Sequence, residues 1–581
     1  MDDSLYDSEY DAIIVGTGIV ESIVAASLAR AGKKVLHLDT NDYYGSNYAS
    51  LHLHQFEEWS HAPSVATPSL QPHPLESTFH CTLLHHAKDD AFQPRSSSFS
   101  LDIQPKMLLS NSPLVDVLVE SGVGRYLDFM AMQGTYMFSA RPQNKNPPIW
   151  EVPCSKTDVF KSKLNVMEKR HLMKFLQFVA DYGPSIPREE DVTTLNERDL
   201  TASRALKRPQ NKQSDAAALP TLADDASFTD VLATHFKLST ALQQVVLYGV
   251  LLRTTPPSSN EEGLSIRASL DAIYAFVTSI GKFAPSPYLT PMYGISEVAQ
   301  SFCRLSAVYN GIYVLRAPVS HLAMDEEVVD DGADTSAAAC VGVATSDGRI
   351  CRASHVVVNG MFGRSVGCTS PRALLRGIFV VNTPIQPNID RLVLVIPPGE
   401  IQDSDAAIHV VQMDATMGVC PEGLFLVHVT TVAPAAMPAD ELVGFMLAIQ
   451  THVLRDVSSP PVWTSVFTIP LYATTDDDAS TSRRPANVFV VAPPVALDTT
   501  LDTCVREAKA IFDAICPGHD FLPKSATAEQ VDADAVEDDD VALLHAAAQL
   551  IQTDESPTGA DPEATTEDDQ SRAATTPVYD L

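Results

Sequence analysis

The first forty residues constrain the fold of this chain more than any other stretch. An apolar run, YDAIIV at 10–15, leads into Gly16 and Gly18, and a helical pattern follows over 19–31. A second apolar run, KKVLHLD, ends at Asp39. A strand, a glycine turn, a helix and a second strand at this spacing are typical of a βαβ unit in a parallel sheet. The sequence therefore predicts an α/β fold that opens with a unit of the dinucleotide-binding type.

The glycine turn departs from the nucleotide-binding pattern at one position. Gly16 and Gly18 keep the first two glycines of G-x-G-x-x-G, but Glu21 replaces the third, while Asp39 stands where a ribose-binding acid would lie. A carboxylate beside the expected phosphates costs about 1–4 kcal/mol in partly screened surroundings. The same carboxylate suits the positive end of a helix without any ligand. These residues predict a degenerate dinucleotide motif in a nucleotide fold without a bound cofactor.

Length and charge limit the classes of protein to consider. At 581 residues the chain is too long for one simple core, so two or more domains are expected. The net charge of −33 argues against nucleic acid as a partner, because phosphate binding requires a basic surface. Nine cysteines without a C-x-x-C pair argue against a cysteine zinc site and favour a reducing, cytoplasmic compartment. The histidines of HLHQ (52–55) and LLHH (83–86) are predicted to be solvated rather than metal-bound.

Changes in pattern divide the chain into four predicted regions. They are the first part of a large domain (1–154), a helical domain (155–282), the second part of the large domain (283–525) and an acidic, disordered tail (526–581). Within the first region, an insertion is predicted at about 52–100, and its His-, Pro- and Ser-rich segment 60–98 is predicted to be loop rather than core. A helix pair is predicted after residue 101, and a hairpin over 126–153.

The helical domain has its own start signal and its own amphipathic face. Ser155 and Asp158 form a predicted capping box. A polar linker is predicted at about 202–223. One helix face is predicted from four apolar residues at 3.6-residue spacing, namely Leu172, Phe175, Leu176 and Val179.

Three separated blocks of the sequence resemble the Rab GDP-dissociation inhibitor and Rab escort protein superfamily. They are residues 10–51, 159–179 and 293–315, which open with YDAIIVGTGIVES, VFKSKLN and YGISEVA. The resemblance runs, with gaps, from about residue 8 to residue 518. It implies a flavoprotein-like large domain with mixed sheets and a mainly helical inserted domain. It also implies that no flavin is bound, in agreement with the argument from Glu21.

The resemblance further implies a platform on the large domain that binds Rab GTPases in the GDP form. The residues that match it are Tyr44, Glu297, Arg304, Ile312 and Val314, of which the last two are apolar and differ from the inhibitor branch. Glu297 and Arg304 are seven residues apart, so a helix places them on one face. A carboxylate and a guanidinium there can bind the charged and backbone groups of a loop. A solvated charge pair that contributes little remains the alternative from spacing alone.

The escort branch is marked by a phenylalanine and an arginine that dock on Rab geranylgeranyl transferase. Phe160 and Arg170 match them, with one residue fewer between them than the family pattern has. An aromatic anchor with an arginine is typical of an interface hot spot. The helical pattern alone also allows Phe160 to pack in the core of the helical domain.

The resemblance to the escort branch implies a non-catalytic accessory component of the transferase. Such a protein binds GDP-bound Rab, presents it to the transferase heterodimer, slows GDP release, holds the geranylgeranyl lipid and contacts membranes transiently. The sequence contains no nucleophile motif of an enzyme. Two alternatives stay open: a recycling Rab GDP-dissociation inhibitor from the same family, and a flavin-dependent oxidoreductase from another class.

Overall fold

The structure is a computed structural model, and part of the chain is described in it. The described residues are 3–62, 74–75, 79–87, 95–140, 147–153, 156–182, 227–255, 266–325, 339–365, 368–435, 437–457, 459–474, 485–492 and 501–524. The predicted acidic tail, the predicted linker at 202–223 and Ser155 of the predicted capping box lie outside these residues.

The described residues form strands and helices in mixed order, with long runs of consecutive strands. The strands are β1 (Glu9–Val15), β2 (Val35–Leu38), β3 (Ser50–Leu51), β4 (Thr82–Ala87), β5 (Leu101–Asp102), β6 (Leu108–Leu109), β7 (Phe129–Ala131), β8 (Gly134–Phe138), β9 (Ile149–Glu151), β10 (Tyr288–Pro291), β11 (Ile312–Val314), β12 (Val319–Met324), β13 (Cys340–Thr345), β14 (Ile350–Asn359), β15 (Cys368–Val381), β16 (Leu392–Ile396), β17 (Ile408–Asp414), β18 (Phe425–Val432), β19 (Trp463–Thr474) and β20 (Val488–Val491). The α-helices are α1 (Ile19–Arg30), α2 (Leu53–His61), α3 (Pro113–Ser121), α4 (Lys156–Lys161), α5 (Val166–Tyr182), α6 (Phe228–Asp230), α7 (Thr240–Gln244), α8 (Ile266–Ser279), α9 (Ser296–Val308), α10 (Ala439–Val453) and α11 (Asp502–Ile515).

The predicted βαβ unit is confirmed and lies in a seven-stranded sheet. The strand order is β11-β2-β1-β14-β13-β12, with β20 also paired to β14. β1 runs parallel to both β2 and β14, with Ile13 opposite Leu36. α1 is buried over nearly its whole length because it packs against α9 and α11, and its small side chains allow that close approach. Gly32, at φ +79°, follows the end of α1, as its position in the sequence predicts.

A second, mostly antiparallel sheet of eight strands forms the other layer of the large domain. Its order is β4-β19-β15-β18-β17-β16-β8-β9. β8 and β9 form the predicted hairpin, with Phe138 opposite Ile149. α10 covers one face of this sheet through Leu442, Phe445 and Met446. The α/β class with mixed sheets is therefore confirmed.

The predicted loop at 60–98 is wrong in part. β4 pairs antiparallel with β19 at the edge of the eight-stranded sheet, with Ala87 opposite Thr464. α2 lies at the start of the predicted insertion, and its Phe56 is fully buried. The ring of Phe56 packs edge-on against Phe467 of β19 at 5.4 Å between centroids. Pairing with a distant strand therefore orders a segment whose composition is typical of a loop.

The predicted helix pair after residue 101 is wrong in its first half, which forms β5 and β6, while α3 forms the second half. The reason is tertiary. The buried side chain of Arg376 on β15 donates hydrogen bonds to the carbonyl of Ile103 at 2.9 Å and to that of Asp102 at 3.1 Å. Those carbonyls are thus unavailable to a helix, and Pro105 has no N–H to continue one.

The helical segment packs on the eight-stranded sheet rather than forming a separate core. Leu172, Phe175 and Val179 of α5 are buried as predicted, and Leu176 is partly buried. They belong to one apolar cluster with Val393 of β16 and other residues of the sheet. Two π-helical turns, Val231–His235 and Val245–Val250, follow α6 and α7. Within the described part of the chain, no helix is both long and apolar enough to cross a membrane.

Candidate functional site

The degenerate dinucleotide turn is filled by its own side chains. Gly16 has φ +103°, and Gly18 is the N-cap of α1. The Glu21 carboxylate turns back against Gly18 and accepts a hydrogen bond from the amide of Asn359. It therefore occupies the space beside the helix N-terminus that a pyrophosphate would require. Burial raises the pKa of Glu21 to about 8, so the side chain is mostly neutral at pH 7. Glu21 therefore obstructs the phosphate position by its bulk, and its mostly neutral carboxyl weakens the charge repulsion expected from the sequence.

The second strand of the unit leads into Asp39, whose two carboxylate oxygens both accept hydrogen bonds from within the chain. One oxygen of Asp39 accepts hydrogen bonds from the N–H of Thr17 at 2.8 Å and from the hydroxyl of Ser46 at 3.1 Å. Its other oxygen accepts from the N–H of Asn41 at 2.8 Å. A ribose-binding acid needs an oxygen free for the sugar hydroxyls. The residues of this turn do not fit a bound dinucleotide or flavin.

The helix that carries Glu297 and Arg304 begins at an anchored turn. The side chain of Asp102 accepts a hydrogen bond from the N–H of Ile295 at 3.0 Å. The hydroxyl of Ser50 accepts from the N–H of Ser296 at 3.0 Å and donates to Asp102 at 2.6 Å. Two side chains from β3 and β5 thus satisfy the first backbone donors of α9. Gly294, at φ +104°, is required there because a Cβ would lie 2.5 Å from the Ser50 hydroxyl.

Glu297 and Arg304 lie on one stripe of α9 but do not form a pair with each other. Seven residues at 1.5 Å rise separate them by about 10 Å along the axis. Glu297 is half-buried and accepts a hydrogen bond from Gln300 at 3.0 Å, and burial raises its pKa. Arg304 is exposed, and its guanidinium lies 4.4 Å from the ring centroid of Tyr126. The stripe presents one acid and one base held apart, which suits two separate contacts with a partner.

Tyr44 lies close to α9, whereas Ile312 and Val314 face away from it. Burial raises the pKa of Tyr44, with smaller contributions from Cys303 of α9 and from Asp39. On β11, Tyr313 is directed to the α9 side, and its ring packs at 4.5 Å on that of His37. Ile312 and Val314 alternate with Tyr313 and pack, partly buried, against the core on the opposite face of the sheet. The structure thus places Tyr44 near Cys303 of the helix that carries Glu297 and Arg304, and it places Ile312 and Val314 on the opposite face of the sheet.

Phe160 and Arg170 lie at the exposed corner between α4 and α5, which we call the α4–α5 corner (residues 156–174). Phe160 is 69% exposed, so it does not pack in the helical core. The Lys169 ammonium donates to the carbonyl of Phe160 at 2.7 Å and ties the end of α4 to α5. Arg170 is also exposed. An exposed aromatic ring with a neighbouring arginine on a fixed backbone is the arrangement expected of a docking site.

Sequence reasoning missed two further side chains of this corner. Val166 is 83% exposed and Met167 is 58% exposed, both in the first turn of α5. Asn165 and Glu168 cap this helix reciprocally, with the N–H of Glu168 donating to Asn165 at 2.9 Å and that of Asn165 to Glu168 at 3.2 Å. The capping pattern N-x-x-E is readable in the sequence and places Val166 and Met167 at the solvent-exposed start of the helix.

The histidines of 52–55 and 83–86 make other contacts in the structure. Across the described ranges, no group of three or more His, Cys, Asp or Glu side chains is placed to hold a metal ion. His52 and Gln55 instead cap α2. The prediction of solvated histidines is wrong for His86, whose ring is almost fully buried and lies 5.3 Å from that of Trp463. β4 turns this residue inward when it joins the sheet.

Comparison with known proteins gives one family and two groups of relatives. The family described as GDP dissociation inhibitor matches residues 6–212 and 212–459. The chain is 29% identical over 539 residues to the Rab proteins geranylgeranyltransferase component A of Drosophila melanogaster, covering 90% of this chain and 92% of that protein. It is 28% identical over 447 residues to the Rab GDP-dissociation inhibitor of Saccharomyces cerevisiae, covering 76% of this chain and 84% of that protein. The solved structure of a Rab GDI from Plasmodium falciparum is similar in fold, with a TM-score of 0.62, 20% identity and coverage of 88% of this chain and 98% of that one.

Proposed function

Because this chain belongs to the GDP dissociation inhibitor family, we propose that it acts as a Rab escort protein. It binds unprenylated Rab GTPases in the GDP form and presents them to Rab geranylgeranyl transferase. The similarity to component A extends over more of this chain than the similarity to the yeast inhibitor does, which favours the escort role. The observation that carries the proposal is the exposure of both Phe160 and Arg170 at the α4–α5 corner.

The GTPase binds to the stripe of α9. Arg304 donates charge-assisted hydrogen bonds to a loop of the Rab protein, and Tyr126 holds the guanidinium plane in position by stacking. Glu297 accepts from backbone or basic groups of the same partner, with Tyr44 at the side of the helix. Binding to the GDP form slows release of the nucleotide because it stabilises that state of the GTPase. Ile312 and Val314 support the edge strand from the opposite face of the sheet.

The chain supplies binding rather than chemistry. The transferase heterodimer, docked at Phe160 and Arg170, carries out the prenyl transfer. The helical segment then holds the geranylgeranyl chains, whose transfer out of water is favourable by about 0.8 kcal/mol per methylene. The lipid-bearing Rab protein is thereby kept in solution until it reaches a membrane.

The test is geranylgeranyl transfer to a GDP-loaded Rab protein by the purified transferase heterodimer, with and without this protein. Strong dependence of the rate on this protein is the expected result. No stimulation with intact Rab binding would assign the chain to the recycling inhibitors instead. Failure to bind a Rab protein at all would reject both roles and return attention to the alternative of an oxidoreductase, for which the absorbance spectrum of the purified protein is the check.

A further inference from the structure

The α4–α5 corner has a charge opposite to that of the whole chain. Its nineteen residues contain six of the chain's 40 lysines and arginines and only two acids, giving a local net charge of +4 in a chain of net charge −33. The bases Lys161, Lys163 and Lys174 are exposed. The two acids, Asp158 and Glu168, are half-buried, and Glu168 accepts hydrogen bonds from Asn165 and from Ser239 at 3.1 Å. What the corner presents to solvent is therefore strongly basic.

The apolar side chains of the corner protrude. Phe160, Val166 and Met167 are 69%, 83% and 58% exposed, and they lie on either side of the short connection between α4 and α5. The same stretch of chain carries the exposed bases Lys161, Lys163 and Arg170. This combination suits the boundary between lipid headgroups and acyl chains, where apolar side chains enter and lysines reach back to anionic headgroups.

We propose that the α4–α5 corner binds the surface of anionic phospholipid bilayers, and that the transferase and the bilayer compete for it. The second part rests on the proposed docking of the transferase at Phe160 and Arg170. The corner is then covered by the transferase while the Rab protein is modified, and it becomes available to a membrane once the transferase leaves. Release of the transferase is thus the event that allows the lipid-bearing Rab protein to be delivered to a membrane, and no separate signal is required.

The experiment is flotation of the full-length protein with phosphatidylcholine vesicles, with and without phosphatidylserine. Binding is expected only with phosphatidylserine and should weaken as the salt concentration is raised, because salt screens the attraction between the lysines and the anionic headgroups. The double variant Val166→Ser/Met167→Ser should lower the partition constant about tenfold. Lys161→Glu should lower it about fivefold or more. The matched control is Val119→Ser/Val308→Ser, which removes side chains 60% and 62% exposed outside the corner and should bind vesicles normally.

Each other outcome decides against part of the proposal. If the protein does not bind phosphatidylserine vesicles, or if the control variant loses as much vesicle binding as Val166→Ser/Met167→Ser, the proposal of a membrane-binding corner is wrong. The result of the vesicle-free geranylgeranyl transfer assay, which tests the proposed function, would not be affected. Excess transferase heterodimer should displace the protein from vesicles, and a ternary assembly of vesicle, protein and transferase overturns the competition. If Val166→Ser/Met167→Ser lowers transferase binding but not vesicle binding, the corner is a protein-docking site alone. Thermal unfolding of each variant checks that these exposed substitutions leave the fold intact.

Discussion

At the scale of single residues, Glu21 links the filled cofactor turn to the stability of the fold. Its pKa is about 8 in the folded protein, against an ordinary value of 4.5. Between those two pH values the unfolded chain loses the proton while the folded chain keeps it, so the free energy of unfolding falls as pH rises. Glu21→Gln keeps the neutral form at every pH. We expect the variant to lose less stability between about pH 5 and about pH 8.

Melting temperatures measured across that pH range test the prediction. Part of the decline should persist in the variant, because burial also raises the pKa of Glu507 to about 7 and that of Asp102 to about 6. Each of these two acids also lowers the free energy of unfolding as pH rises, because its pKa is higher in the folded protein than in the unfolded chain. Identical slopes for the two proteins would mean that Glu21 is ionised in the folded state.

Arg304 is the residue on which recognition of the GTPase should depend most. It is exposed and stacked on Tyr126, so Arg304→Ala should leave the melting temperature nearly unchanged. Loss of a charge-assisted hydrogen bond should weaken binding to GDP-loaded Rab by about 1.5–3 kcal/mol, measured by calorimetry. Arg352→Ala, which removes an exposed arginine on β14, is the control and should bind normally. Equal affinity of both variants would remove α9 from the interface.

At the scale of elements, the turn before α9 fixes the platform, and Gly294 tests it. Gly294→Ala places a methyl group against Ser50 and Asp102 in addition to the strain of φ +104°. Gly348→Ala has similar strain at φ +81° but open space around the new methyl group. We expect Gly294→Ala to destabilise the fold by at least about 1 kcal/mol more than Gly348→Ala. Urea unfolding measures the difference, and weaker Rab binding should accompany it only at Gly294.

The α4–α5 connection should separate two binding activities. Phe160→Ala removes an exposed ring, so stability and Rab binding should not change, whereas affinity for the transferase should fall about tenfold or more. Phe283→Ala, which removes a ring 59% exposed at another site, is the matched control. Calorimetric titration with each partner gives both affinities. An equal loss of Rab and transferase binding in Phe160→Ala would contradict this division.

At the scale of the whole molecule, the sequence predicts elements that depend on neighbouring residues, but it does not predict contacts between residues far apart in the chain. The βαβ unit, the β8–β9 hairpin and the buried face of α5 follow from apolar periodicity and turn residues close together in sequence. The anchoring of α9 depends on Asp102, 193 residues before Ile295, and on Ser50, 246 residues before Ser296. Composition likewise could not assign β4 to the sheet, because its partner β19 lies far along the chain. The exposure of Phe160 needed the structure, since helical spacing fits a core or a surface position equally.

The filled turn around Asp39 and Glu21 also affects how the protein matures. In a flavoenzyme, the prosthetic group supplies hydrogen-bond partners at this position, and folding is completed when it is incorporated. Here Thr17, Ser46 and Asn359 supply those partners from within the chain. The large domain can therefore reach its final form directly after synthesis. We therefore expect the abundance of the protein in a cell to be independent of vitamin supply.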